Sequence, residues 1–174
     1  GIRLLKKRNE IAPEKIGLIG HSEGGLIAPI VATKTDDVAF LILLAGPGIK
    51  GEDVLYKQNE LMMKAAGMDE AAINQNRKLQ EAIFNIVLTE PDSAKRLDRL
   101  QRTFTGGIYP MMSDDRKKAI DAQVAAVNNP WFRFFLTHDP YPVLTKVDVP
   151  VLALNGAKDT QVPANENLAA IENA

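Results

Sequence analysis

Gly20-His21-Ser22-Glu23-Gly24 constrains this chain more than any other segment. It stands between two readable stretches. Lys15 to Gly20 is an apolar run that reads as a buried strand, and Ser22 to Thr33 is rich in small and apolar residues and reads as a helix packed on a sheet. A glycine two positions to either side of a serine lets the chain turn sharply from strand to helix, because backbones can pass where no side chain intrudes. The serine of such a turn is strained, and its hydroxyl is aimed above the carboxyl end of the sheet. The Glu23 backbone N–H, at the start of the helix, is then placed to donate to a developing oxyanion. Gly25 adds room for the helix to pack. The five-residue pattern alone arises in about one chain in twenty of this length. The strand before it and the helix after it therefore carry the reading. The competing readings are a turn that merely packs and a turn that binds phosphate. The second lacks the fuller glycine pattern and the Lys-Ser/Thr ending.

The rest of the chain supplies the frame. Ile2 to Asn9 reads as the last turns of a helix, with Pro13 interrupting it. Pro29 falls inside the helix after Ser22. Proline costs about 3 kcal/mol in a helix interior, which predicts a kink or an irregular turn there. Val38 to Ala45 is apolar without alternation, the mark of a parallel strand covered on both faces. From Glu52 to about Asn128 charge and amide content rise, and apolar residues recur at helical spacing. Three stripes stand out: Leu61-Met62-Ala65-Ala66, Ile83-Ile86-Val87 and Ile120-Val124-Val127. Pro91, Gly106-Gly107 and Pro110 divide this stretch into helices, and Pro130 to Leu136 concentrates the aromatics. Val149 to Gly156 returns to strand and turn, Ala157 to Pro163 is a loop, and a helix runs from Asn165 to Ala174.

Strands alternating with helices call for an α/β fold with a parallel sheet. The helical block interrupts that alternation and reads as an inserted cap, of the kind that sits over active sites. The expected organisation is a core from residues 1–50 and 148–174, with residues 51–147 as the cap.

Composition excludes several chemistries. The formal net charge of −1 argues against a nucleic-acid or anionic-membrane partner held by bulk electrostatics. No apolar run approaches the ~20 residues that cross a bilayer. The absence of cysteine removes disulfides, thiolate catalysis and cysteine metal sites. Two isolated histidines and scattered carboxylates show no metal-ligand spacing, so neither metal nor cofactor is expected. Asp36-Asp37 and Asp114-Asp115 read as solvated turns. The chain begins with Gly1 and shows no signal-peptide pattern, which leaves the compartment open.

Lys15 to Gly25, "KIGLIGHSEGG", resembles the serine-bearing elbow of α/β-hydrolase-fold esterases. Leu44 to Gly48, "LAGPG", resembles the strand end that follows it. "PWFRFFLTHDPYP" (130–142) and "VPVLALNGAKDTQVP" (149–163) resemble the part after the cap in hydrolases related to dienelactone-hydrolase-like and acyl esterases. The resemblance implies a partial α/β-hydrolase fold of about three parallel strands, equivalent to the fifth to seventh of the complete fold. It also implies acyl-serine chemistry on carboxylic esters or thioesters, with Ser22 as nucleophile, Glu23 N–H as oxyanion donor and Asp159 as the acid that orients a histidine. On its residues alone Asp159 reads equally as a turn residue.

The family order places the histidine after the acid. His21 adjoins the serine in sequence and reads as a packed structural residue. His138 precedes Asp159 and reads as a local hydrogen-bonding or surface residue. The expectation is a fragment that is nearly inactive alone, because a serine without a base is a weak nucleophile. The alternative is a non-catalytic binding or scaffold protein that keeps the fold. Loss of a neighbour beside the Ile16 strand predicts an exposed edge and self-association. Met62, Met63, Met68, Met111 and Met112 suit an apolar acyl group or fill the cap's own core.

Overall fold

The computed structural model describes residues 1–174. Nine helices and three strands follow in this order: α1 (Ile2–Leu5), β1 (Leu18–His21), α2 (Glu23–Ala32), β2 (Leu41–Leu44), α3 (Gly51–Ala65), α4 (Glu70–Thr89), α5 (Ser93–Thr105), α6 (Asp114–Val127), α7 (Pro130–Thr137), α8 (Tyr141–Leu144), β3 (Val151–Leu154) and α9 (Ala164–Glu172). By compactness the chain divides into two units, residues 1–62 with 139–174, and residues 63–138.

The first unit is a parallel sheet with strand order β1-β2-β3. Leu18 faces Leu41 and His21 faces Leu44; Leu41 faces Val151 and Leu44 faces Leu154. The strands are shorter than the apolar runs that announce them. β2 occupies four residues of the eight from Val38 to Ala45, because a parallel ladder extends only where all partners overlap. One sheet face is packed at its centre. Leu41 and Leu43 pack there with Ala28 of α2, Val38 and Leu144 of α8, and Ile171 of α9 closes the cluster. The other face is open, with Ile19, Leu152 and Leu154 each at least half exposed. The continuous apolarity of β2 thus reflects one buried face and one half-buried face, not two fully covered faces.

Pro29 neither stops nor visibly breaks α2, which continues to Ala32. A proline ring collides with the carbonyl four residues earlier. Here that carbonyl belongs to Gly25. α9 closes at Glu172 rather than running to Ala174.

The second unit is helical. Its core holds Ile83, Phe84, Ile86 and Val87 from α4, Leu100 from α5, Val124 from α6, and Phe135 and Leu136 from α7. Asp69, Asp92 and Asn129 cap α4, α5 and α7 by accepting from Ala72, Lys95 and Phe132 N–H groups at 2.8–2.9 Å. Gly106 ends α5 in the left-handed region, φ 62°. Phe84 and Phe132 meet edge to face at 5.8 Å. The stripes at Ile83 and Val124 lie in helices, as their spacing implied, and contribute to this core. The stripe at Leu61 does not: Met62, Ala65 and Ala66 are exposed. None of the five methionines is buried, so they do not fill this core.

Candidate functional site around Ser22

The register sets the site. Because His21, Leu44 and Leu154 lie abreast, the residues that follow them, Ser22, Ala45 and Asn155, stand at the carboxyl end of the sheet. Ser22 N–H donates to Leu44 O at 2.9 Å and Ala45 N–H to Leu154 O at 2.8 Å. Ligands of open α/β sheets bind outside this end.

Ser22 has φ 52° and ψ −116°. A non-glycine residue at such angles costs on the order of 1–3 kcal/mol and persists only where its surroundings enforce it. The surroundings here are backbone. A Cβ on Gly20 would lie 2.1 Å from Gly24 O, and one on Gly25 would lie 2.6 Å from Gly46 Cα. Strand, turn and helix are thus pressed together without side chains between them. Gly24 is different, since a Cβ there would meet nothing within 4 Å. The expectation that both glycines flanking the serine must be bare holds for Gly20 only. The second bare position is Gly25, because it, not Gly24, faces the loop after β2.

Ser22 is the N-cap of α2, yet its hydroxyl makes no capping hydrogen bond. N-cap serines ordinarily give that oxygen to the first turn. Here the backbone closes the turn instead, Gly25 N–H donating to Ser22 O at 2.8 Å, and the hydroxyl is left for other chemistry. Glu23 is the first residue of α2, so its N–H stands at the N-terminal end of the helix. The positive end of the helix dipole adds to the preference for an anion at that point.

Asp159 is brought to the same place. Ser22, Asp159, His21, Ala45, Lys158 and Gln161 are among the residues lining one pocket of about 390 Å³. Asp159 sits in the loop after β3, half buried, with Oδ1 accepting from Gln161 N–H at 2.8 Å and Val162 N–H at 3.0 Å. The turn reading of this residue is thus observed directly. One carboxylate oxygen holds the turn, and Oδ2 is left without a protein donor. His21 is exposed and lines the pocket without a hydrogen bond to Ser22 or Asp159. His138 ends α7 in the helical unit, its ring 4.8 Å from that of Phe134.

Three residues of the first unit were not singled out from sequence. Ala45 has φ 49°, a second strained position beside Ser22. Asn155 donates through Nδ2 to Val162 O at 2.8 Å, across the base of the acid loop. Asn167 is fully buried and bonded at both ends of its amide. The available signal for Asn167 was a polar residue on the apolar face that Ala164, Leu168 and Ile171 define in α9.

No group of three or more His, Asp or Glu side chains is arranged to hold a metal ion. No helix is long and apolar enough to cross a membrane. Comparison with curated proteins gives no match. The family model described as "BAAT / Acyl-CoA thioester hydrolase C terminal", a domain of the α/β-hydrolase superfamily, matches residues 1–120. That span includes the whole serine turn and the loop packed behind it, and the chain belongs to this family of hydrolases.

Proposed function

We propose that the chain carries the nucleophile and the acid of a serine hydrolase acting on acyl thioesters, with acyl-CoA as the substrate class that the family points to. The observation that carries this reading is the conformation of Ser22: a strained serine at a strand-to-helix turn whose hydroxyl is released from capping. Ser22 attacks the thioester carbonyl. The Glu23 N–H stabilises the oxyanion of the tetrahedral intermediate. Collapse expels the thiol and leaves an acyl-serine that water hydrolyses. Asp159 holds its turn through Oδ1 and offers Oδ2 to a histidine, whose charged form it stabilises during proton transfer. Oxygen esters remain within the reach of the same steps.

Neither His21 nor His138 makes a hydrogen bond to Ser22, so we expect the 174-residue polypeptide to be a poor catalyst by itself. Free imidazole should then substitute for the missing base. Hydrolysis of an acyl-CoA, or of a p-nitrophenyl ester, should rise with imidazole concentration in the chain and not in Ser22→Ala. Fast turnover without imidazole that Ser22→Ala abolishes would overturn the proposed lack of a base. Equal rates in chain and variant would overturn the role of Ser22. The helical residues are proposed as a cap that shapes access of the acyl group. A scaffold protein that keeps the fold without the reaction is the second reading, favoured by the absence of a histidine hydrogen-bonded to Ser22 or Asp159. It predicts no imidazole response.

A further inference from the structure

We infer that Asn167 is a positioning residue that ties the loop carrying Asp159 to the loop that backs the serine turn. It is the one polar or charged residue in the buried set, at 0% exposure. Its Oδ1 accepts from Gly48 N–H at 2.7 Å and from Ile49 N–H at 3.3 Å, and its Nδ2 donates to Pro163 O at 2.8 Å. A buried amide without partners costs about 1–3 kcal/mol, whereas a leucine of similar size would fill the same space at no such cost. The amide is thus at a core position for the direction of its bonds.

Each end of that amide leads to a proposed catalytic group. Pro163 follows Val162, whose N–H donates to Asp159 Oδ1 at 3.0 Å and whose carbonyl accepts from Asn155 Nδ2 at 2.8 Å. Consecutive carbonyls of the acid loop, Val162 and Pro163, are therefore gripped by two asparagines. On the other side, Gly48 lies two residues beyond Gly46, which is pressed against Gly25 of the serine turn. Gly48 itself has no space for a side chain, since a Cβ there would lie 2.3 Å from Asn167 O. The path from Ser22 to Asp159 runs through Gly25, Gly46, Gly48, Asn167, Pro163 and Val162 as packed backbone and short hydrogen bonds. The functional meaning of this tie rests on Ser22 and Asp159 acting together; the tie itself does not.

Residue-resolved amide hydrogen exchange on the 174-residue chain tests it. In the unsubstituted chain Gly48, Ile49, Gln161 and Val162 should share one opening free energy, as members of one cooperative unit. Asn167→Asp keeps the shape and the acceptor for Gly48 and Ile49 but, at a pH where its carboxyl is ionised, cannot donate to Pro163. Gln161 and Val162 should then exchange about tenfold faster or more, the size of one lost hydrogen bond, with Gly48, Ile49 and the strands unchanged. Asn167→Leu should release both loops. A residue that only fills the core would instead lower protection evenly through β1–β3 and α2. Independent opening of the two loops in the unsubstituted chain, or normal protection of Gln161 and Val162 in Asn167→Asp, would overturn the inference. The first comparison needs no variant, so a substitution that prevents folding does not remove the test. Covalent labelling of Ser22 measures the catalytic reading separately: failure there with intact coupling overturns that reading and leaves this one.

Discussion

Alanine at each of the three glycines around Ser22 should give three different outcomes. In Gly20→Ala the new Cβ would sit 2.1 Å from Gly24 O and 2.3 Å from Gly24 C. Ordinary contact begins at 3.4 Å, so the first turn of α2 must move by more than an ångström, and the obstacle is backbone rather than a side chain that can swing away. Overpacking of this kind costs about 1–3 kcal/mol. In Gly25→Ala the Cβ meets Gly46 Cα at 2.6 Å. The same penalty applies there, lessened by the ~1 kcal/mol by which alanine exceeds glycine in a helix. Gly24→Ala meets nothing and keeps that helix gain, so it should stabilise by roughly 0.4–1 kcal/mol. Gly20→Ala and Gly24→Ala should thus differ by about 1.4–4 kcal/mol, roughly ten- to nine-hundred-fold in the folding equilibrium. Urea unfolding of the three variants in parallel measures this. Reactivity should follow the same order, because a displacement of about 1 Å at a reacting group can cost on the order of 100-fold in rate. If Gly24→Ala is destabilised as much as Gly20→Ala, the packing account of the turn is wrong.

Asp159 offers a second separation. Asp159→Asn can still accept from Gln161 and Val162 N–H and should lose under about 1 kcal/mol, while Asp159→Ala frees both donors and should lose about 1–3 kcal/mol; thermal unfolding resolves the two, although both should lose imidazole-assisted hydrolysis. At acid pH, the hydrogen bond from Lys6 holds the Asp37 carboxyl below its ordinary value near 3.8. A lowered folded-state value means a contribution that is complete above 3.8 and lost as pH falls through the folded value. Lys6→Met should therefore flatten the fall of stability below about pH 4, read by urea midpoints across pH. The open sheet face at Ile19, Leu152 and Leu154, together with the edge strand β1, should drive self-association, visible as a concentration-dependent mass in light scattering and reduced by Leu152→Lys. A clean monomer at high concentration would count against that.

Much of the site was legible because glycine and serine report backbone geometry directly. The spacing around Ser22 implied a sharp turn, and Ser22 indeed takes a positive φ. What spacing cannot reveal is which glycine faces which neighbour. Gly24 matches the motif yet has open space, and Gly25 lies outside it yet touches Gly46, because the contact depends on a loop twenty residues away in sequence. The parallel sheet followed from apolar runs alternating with helices. The uncovered face did not, since Ile19 and Leu152 are as apolar as Leu41 and Leu43. The Leu61 stripe lies in α3 up to Ala65, as its spacing implied, yet Met62 and Ala65 are exposed, because period 3.6 marks a face without saying what covers it. Asn167 escaped notice because an asparagine in a helix reads as solvated, and only its three bonds at full burial show otherwise. Asp159 was ambiguous between turn and acid, and the structure gives one oxygen to the turn and leaves the other.

Nucleophilic attack by Ser22 is recorded in the covalent bond it forms. The chain is incubated with a fluorophosphonate in the presence and absence of imidazole, digested, and its peptides weighed. A nucleophilic Ser22 gives a single adduct on that residue, forming faster as imidazole rises and absent from Ser22→Ala. An adduct on another serine or threonine, or labelling of Ser22→Ala at the rate of the unsubstituted chain, would contradict it.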